Sequence, residues 1–161
     1  MQKQFLEAPA PPDLRGSGLN VGIIVARFNW PITGSLLALA YEELVRLDVA
    51  PEQITVVHAP GAYELATIAQ AMLSTPHHYD VLICIGCVMK GATRHDVLVG
   101  DAATQGIQRV ALDTGIPIIF GVLCAENTQQ AQERIPRGIE FAQAAIEMAC
   151  TVQQLKYRNR Q

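Results

Sequence analysis

Charge is scarce in this chain. Asp, Glu, Lys and Arg make up 17% of its 161 residues, and 12 basic against 15 acidic side chains leave a net charge of −3. With no basic stripe along any predicted helix, nucleic acid is not an expected partner. No apolar run approaches the ~20 residues of a membrane span. Residues 1–12 are rich in proline and lack the apolar centre of a secretion signal. The expectation is therefore a cytoplasmic protein with no membrane partner. Metal-binding patterns are also missing: there is no H-x-x-H, no H-E-x-x-H and no clustered Asp/Glu set. The spacing G-x-x-x-x-G-K-[ST] of an NTP-binding loop does not occur either.

Cysteines are few, at positions 84, 87, 124 and 150. Cys84 and Cys87 have C-x-x-C spacing, and redox pairs of that kind usually sit at a helix N-terminus. Here Cys84 falls inside a strand-like run and only Cys87 reaches the following loop. Cys124 and Cys150 are too far apart in sequence to complete a four-thiolate zinc site. The favoured reading is free thiols, mostly in the core, with a redox pair as the competing one.

What is present is a large apolar fraction, 50%, in a chain long enough to build one real core. So little charge at this size implies that other copies of the chain cover some of the surface. A Pro- and Gly-rich flexible arm is expected over 1–17, a single domain over 18–156 and a basic tail over 157–161. Apolar and β-branched runs predict strands over 20–26, 53–58, 79–85 and 116–124. Apolar spacings of three and four predict helices over 31–47, 63–73, 97–114 and 139–156, with a short helix over 128–134. Gly115 fits the position just past a helix end. Strict alternation implies an α/β fold: a four-stranded parallel sheet with helices on both faces and right-handed crossovers.

In such a sheet the loops after the strands share one edge, and ligands bind there. All four carry unusual residues: Phe28-Asn29-Trp30, then Pro60-Gly61-Ala62-Tyr63-Glu64, then Gly86 to Asp96, then Ala125 to Arg134. His95 is the strongest single candidate, because imidazole is the side chain that exchanges protons near neutral pH; a capping or surface histidine is the competing reading. Phe28 or Trp30 is placed to stack on a planar ligand. Glu64 stands at a helix start, and Gly91-Ala92-Thr93 offers backbone N–H groups to an anion as the next helix opens.

Together these residues resemble the lumazine synthase family. The shared segments stand in order: Ala26-Arg-Phe-Asn29, Pro60-Gly-Ala-Tyr-Glu64, Gly91-Ala-Thr-Arg-His95, Pro117-Ile-Ile-Phe-Gly-Val-Leu123 and Gln130-Ala-Gln-Glu-Arg134. Each is weak alone, but five in order across about residues 18–150 are specific. The resemblance implies a flavodoxin-like three-layer sandwich and a transferase of riboflavin biosynthesis. That enzyme condenses 5-amino-6-(D-ribitylamino)uracil with 3,4-dihydroxy-2-butanone 4-phosphate, without metal or redox cofactor. By resemblance, Phe28 stacks on the pyrimidine, and Ala62, Tyr63 and Glu64 hold the ribityl chain. The backbone of Cys87, Val88 and Met89 meets the ring edge. Ala92 and Thr93 hold the phosphate with Arg134, Phe120 of an adjacent subunit closes the site, and His95 moves protons. Asn29 and Arg137 are further candidates, Arg137 for the place of a family lysine. Asp96 follows His95 where the family carries an aromatic residue. The resemblance also implies a homo-oligomer, a pentamer or a 60-subunit shell, with sites at subunit interfaces. A lumazine- or flavin-binding carrier on the same fold is the alternative.

Overall fold

The computed structural model of the chain describes residues 7–10 and 12–160. The order of elements is β1 (Val21–Ala26), α1 (Trp30–Arg46), a 3-10 turn (Pro51–Gln53), β2 (Ile54–Ala59), a second 3-10 turn (Ala62–Glu64), α2 (Leu65–Leu73), β3 (Val81–Met89), α3 (His95–Thr114), β4 (Ile118–Ala125), α4 (Thr128–Glu133) and α5 (Arg137–Arg158). All three strand pairings are parallel, and the sheet order is β2-β1-β3-β4. This is the expected doubly covered α/β sandwich.

The sheet divides two cores by the alternation of its strands. Val21, Ile23 and Val25 of β1 and Ile83 and Ile85 of β3 face Leu36 and Leu44 of α1 and Phe141 and Ile146 of α5. Ile24 of β1 and Leu82 and Cys84 of β3 face Leu65 of α2 and Ala103 and Ile107 of α3. Each fully buried Ile or Leu contributes roughly 1.5–3 kcal/mol. Central strands buried on both faces explain why β1 and β3 read as unbroken apolar runs rather than as alternating ones. Gly115 ends α3 at φ 71, the left-handed position that favours glycine.

Four expectations change. First, β3 runs to Met89 rather than stopping at Ile85, because β4 pairs with it as far as Met89↔Ala125. Cys87 therefore lies in the strand and is buried, not in a loop. Second, α3 begins at His95, where the Thr93 hydroxyl accepts from the His95 N–H at 3.3 Å. Third, the arm expected over 1–17, of which residues 1–6 and 11 lie outside the described residues, is fastened at its end. The Gly16 N–H donates to the Leu47 carbonyl at 2.7 Å, and Leu14 packs against the core. At the other terminus α5 continues through Arg158 and so takes in two residues of the expected tail.

Helices α1 and α5 are joined by a polar clamp. The buried Glu43 carboxylate accepts from Arg46 Nη2 at 2.6 Å, from Arg46 Nε at 2.8 Å and from Gln143 Nε2 of α5 at 3.0 Å. The Arg46 hydrogen bond holds the Glu43 carboxyl below the usual carboxylate range, against the opposing effect of burial. A carboxyl depressed in the folded state stabilises it at neutral pH and loses that contribution as the pH falls through the folded value. Glu43→Gln should therefore destabilise the protein near pH 7, and the difference from wild type should shrink in acid. Denaturant titrations between pH 7 and pH 3 read this, and a difference independent of pH would remove the ionised clamp.

Cys84 and Cys87 are three residues apart on one strand, so their side chains point into opposite cores. Burial pushes the Cys84 thiol up to about 12 and, with a smaller effect from Cys124, the Cys87 thiol up to about 11. This rules out the redox pair on geometry and leaves both sulfurs protonated and unreactive. An alkylating reagent at pH 8 should leave both untouched in the folded protein and modify them once it is denatured. A Cys84–Cys87 disulfide formed under mild oxidation would refute the strand register.

Candidate functional site at the carboxyl edge of the sheet

The site begins where β1 stops and β3 does not. β1 pairs with β3 only as far as Val25↔Ile85, while β3 continues for four more residues against β4 alone. Residues along a strand direct their N–H and C=O groups alternately to either side. Lys90 N–H donates to the Ala125 carbonyl and Leu82 N–H to the Pro117 carbonyl, so the even-numbered residues serve β4. The backbone groups of Cys87 and Met89 are thus turned to the side that β1 has vacated. A short open strand edge results, able to pair with a flat molecule that carries donors and acceptors on its rim.

Walls rise on both sides of this edge. The chain leaving β1 stays zipped to the chain leaving β2: Arg27 N–H donates to the Ala59 carbonyl at 2.8 Å and Phe28 N–H to the Pro60 carbonyl at 2.9 Å. This holds the Phe28 ring against Gly61. A Cβ on Gly61 would come within 2.6 Å of the ring, so only glycine lets the two approach. The ring itself is 65% exposed, a free apolar face for stacking. Trp30 packs instead against His58, with ring centroids 5.6 Å apart, and lies outside the cavity. Of the two loop aromatics, Phe28 is therefore the one placed for a ligand.

Glu64 closes the second wall. One carboxylate oxygen accepts from the Gly61 N–H at 3.1 Å, which orients the group at the start of α2. Tyr63 beside it is exposed, and Ala62 is buried beneath. The third wall is the first turn of α3. His95, Leu98 and Val99 lie three and four residues apart and so share one helix face toward the cavity. The whole encloses about 640 Å³ and is lined by Phe28, Asn29, Gly61, Ala62, Tyr63, Glu64, Cys87, Val88, Met89, His95, Asp96, Leu98 and Val99. That volume suits a small organic ligand. Among the described residues no ring atom of His95 has a hydrogen-bond or ion-pair partner within the chain, Asp96 included. No group of three or more His, Cys, Asp or Glu among them is arranged to hold a metal ion.

Nine candidates read from the sequence are thus gathered here: Phe28, Asn29, Ala62, Tyr63, Glu64, Cys87, Val88, Met89 and His95. Leu98 and Val99 were missed because a helix start at 97 hides their relation to His95; a start at 95 reveals it. Five candidates line no part of this cavity: Ala92, Thr93, Phe120, Arg134 and Arg137. Ala92 and Thr93 are exposed just before α3, at its N-terminal end. Phe120 stands 40% exposed on the edge strand β4 and lines a second groove of about 360 Å³. That groove shares Val88 and Asp96 with the first. Arg134 donates to the Gln130 carbonyl at 2.9 Å, and Arg137 pairs with Glu140 at 3.6 Å over the Phe141 ring. Lys90 pairs with Glu126 at 3.6 Å.

Comparison with known proteins bears directly on this arrangement. A 6,7-dimethyl-8-ribityllumazine synthase of Azoarcus sp. (strain BH72) is 44% identical to the chain over 138 residues, which cover 85% of this chain and 88% of the relative. The family profile described as 6,7-dimethyl-8-ribityllumazine synthase matches residues 18–153, a span that contains every strand and every residue lining the cavity. The chain belongs to the 6,7-dimethyl-8-ribityllumazine synthase family.

Proposed function

We propose that the cavity is one half of an active site completed by a second copy of the chain, and that its residues divide the work of lumazine formation as follows. The chain is a transferase of riboflavin biosynthesis, acting on two small molecules. It condenses 5-amino-6-(D-ribitylamino)uracil with 3,4-dihydroxy-2-butanone 4-phosphate to 6,7-dimethyl-8-ribityllumazine, releasing phosphate and water. The observation that carries the assignment of the cavity is the open edge of β3 beneath an exposed Phe28 ring. A pyrimidine has both a face to stack and a rim of donors and acceptors, and this geometry offers a partner to each.

In this reading Phe28 covers the pyrimidine, the backbone groups of Cys87 and Met89 meet its rim, and Val88, whose backbone serves β4, lines the cavity between them. Ala62, Tyr63 and Glu64 receive the ribityl chain, and the Glu64 oxygen not engaged by Gly61 accepts from its hydroxyls. Ala92 and Thr93 offer N–H groups at the positive end of the 20-residue helix α3 to the phosphate. Phe120 and Arg134 reach the same space from a neighbouring subunit, since within one chain both stand outside the cavity. The edge strands β2 and β4, with no strand on their outer sides among the described residues, add a reason for the chain to associate. A pentamer, or a shell built of pentamers, meets both needs. We place the reaction in the cytoplasm, where membranes retain polar and phosphorylated substrates; no helix of the described residues is long and apolar enough to cross a membrane.

The chemistry asks for positioning and proton transfer. The aromatic amine adds to the ketone carbonyl and water leaves as the imine forms. Phosphate then departs, the enol tautomerises, and the ribitylamino nitrogen closes the ring with loss of the second water. Each step moves a proton, and His95 on the first turn of α3 faces the cavity with no partner of its own to occupy the ring. Cys87 is no nucleophile, with its thiol pushed up to about 11 by burial. Holding the two substrates together therefore supplies much of the acceleration.

Incubation of the purified protein with both substrates should raise lumazine absorbance and fluorescence faster than the uncatalysed condensation; equality with the blank would remove the catalytic reading. His95→Ala should lower kcat by roughly 10²-fold, the low end for loss of a proton-transfer group, without unfolding the chain. An unchanged kcat takes His95 out of the mechanism. Sharing of the site between subunits has its own test. His95→Ala and Phe120→Ala proteins, each impaired, should recover activity when unfolded together and reassembled, because about a quarter of random interfaces then join two intact halves. No recovery on mixing would place Phe120 and His95 in the same subunit's site or Phe120 in none.

A further inference from the structure

Asn29 is conformationally unusual. It stands just before α1 at φ 62 and ψ 41, in the left-handed region that asparagine tolerates better than most residues. The common reason for an asparagine before a helix is to cap it, yet its carboxamide makes no capping bond to α1. Instead Asn29 Nδ2 donates to the Cys87 carbonyl at 2.8 Å, across 58 residues of sequence.

The register shows what that bond replaces. Were β1 to continue beside β3, the residue opposite Cys87 would be Arg27, and the Cys87 carbonyl would accept from the Phe28 N–H. That N–H is already given to the Pro60 carbonyl, which is what holds Phe28 over the cavity. The carboxamide of Asn29 therefore stands in for the missing strand donor. A parallel substitution occurs one residue back in the sheet: the buried Thr33 hydroxyl donates to the Ala26 carbonyl at 2.7 Å. Side chains at the entry to α1 thus finish the ladder that the β1 backbone abandons.

We propose that Asn29 is a positioning residue for the pyrimidine substrate, acting through the Cys87 carbonyl to hold the open end of β3 extended. This rests on the assignment of the cavity to the pyrimidine. Asn29 fixes Cys87, and with it the Cys87 N–H and the Met89 backbone that the ring rim would meet. The phosphate-bearing substrate is held elsewhere, at the residues before α3, so the effect is selective between the two substrates.

Asn29→Gly and Asn29→Asp both accept a positive φ, and neither can donate to the carbonyl; Asn29→Ala loses the bond and adds backbone strain. In the full-length assembly, the Gly and Asp variants should raise KM for the pyrimidine substrate about tenfold, the effect of losing one well-placed hydrogen bond. KM for the phosphate substrate should stay within about twofold, and the melting temperature should fall by a few degrees, as for the loss of one partly buried hydrogen bond. Amide hydrogen exchange should quicken at residues 87–89 and remain as in wild type elsewhere in the sheet. Ala should show the same KM pattern with a lower melting temperature. Wild-type KM for the pyrimidine in the Gly or Asp variant overturns the proposal, as does an equal rise for both substrates. A wild-type protein without turnover instead overturns the functional reading on which it rests, while the exchange measurement still reports on the Asn29 contact.

Discussion

A strand in the middle of a sheet needs hydrogen-bond partners along both edges, and β3 loses one of them four residues before it ends. This mismatch in length between β1 and β3 is what the rest of the site is built around. Paired throughout, the edge would be closed to ligands. Unpaired and unsupported, it would leave buried backbone groups unsatisfied, at a cost of about 1–3 kcal/mol each. The structure takes a middle course. Asn29 satisfies the Cys87 carbonyl, β4 holds the other edge as far as Met89↔Ala125, and the remaining groups face the cavity.

The same mismatch sets the position of every wall. Because β1 ends early, the chain turns outward at Arg27, and its backbone zips to the loop after β2. That zipper places Phe28 on Gly61 and brings Glu64 to the cavity mouth. Because β3 runs late, α3 starts close to the open edge and His95 faces the space between. The apolar cores on both sides of the sheet keep these loops in place, and the Glu43–Arg46–Gln143 clamp fastens α1 to α5 on one of them.

The proposed function also divides the labour between the chain and its copies. One subunit contributes the stacking face, the strand edge, a carboxylate and an imidazole. In the proposed assembly the charge complement for phosphate and the second aromatic wall come from Arg134 and Phe120 of a neighbour. The groove that holds Phe120 meets the cavity at Val88 and Asp96, so the two surfaces are continuous around one rim. Asp96 occupies that rim. In this chain the position therefore presents a carboxylate to both surfaces, and it does not hydrogen-bond to His95.

Local chemistry determined much of this by itself. Unbroken apolar runs announced strands buried on both faces, three-and-four spacing announced the helices, and their alternation fixed a parallel sheet whose loops gather at one edge. That Phe28, Glu64 and His95 would line one cavity was legible because strand-end loops in such a sheet must converge. Strand lengths were not legible. Cys87 to Met89 read as loop after the strand-like run 79–85, since pairing with β4 is a property of the sheet and not of the segment. The C-x-x-C spacing of Cys84 and Cys87 left a redox pair as the competing reading, and the strand removed it by placing the two thiols in different cores. The helix start at His95, the separation of Trp30 from Phe28 and the contact from Asn29 to Cys87 join residues that are distant in sequence or turn on a one- or two-residue difference in where an element begins. Periodicity resolves neither, because it records which face of an element is buried and not where a neighbouring element ends. Tertiary structure decided those points through the register of β1, β3 and β4.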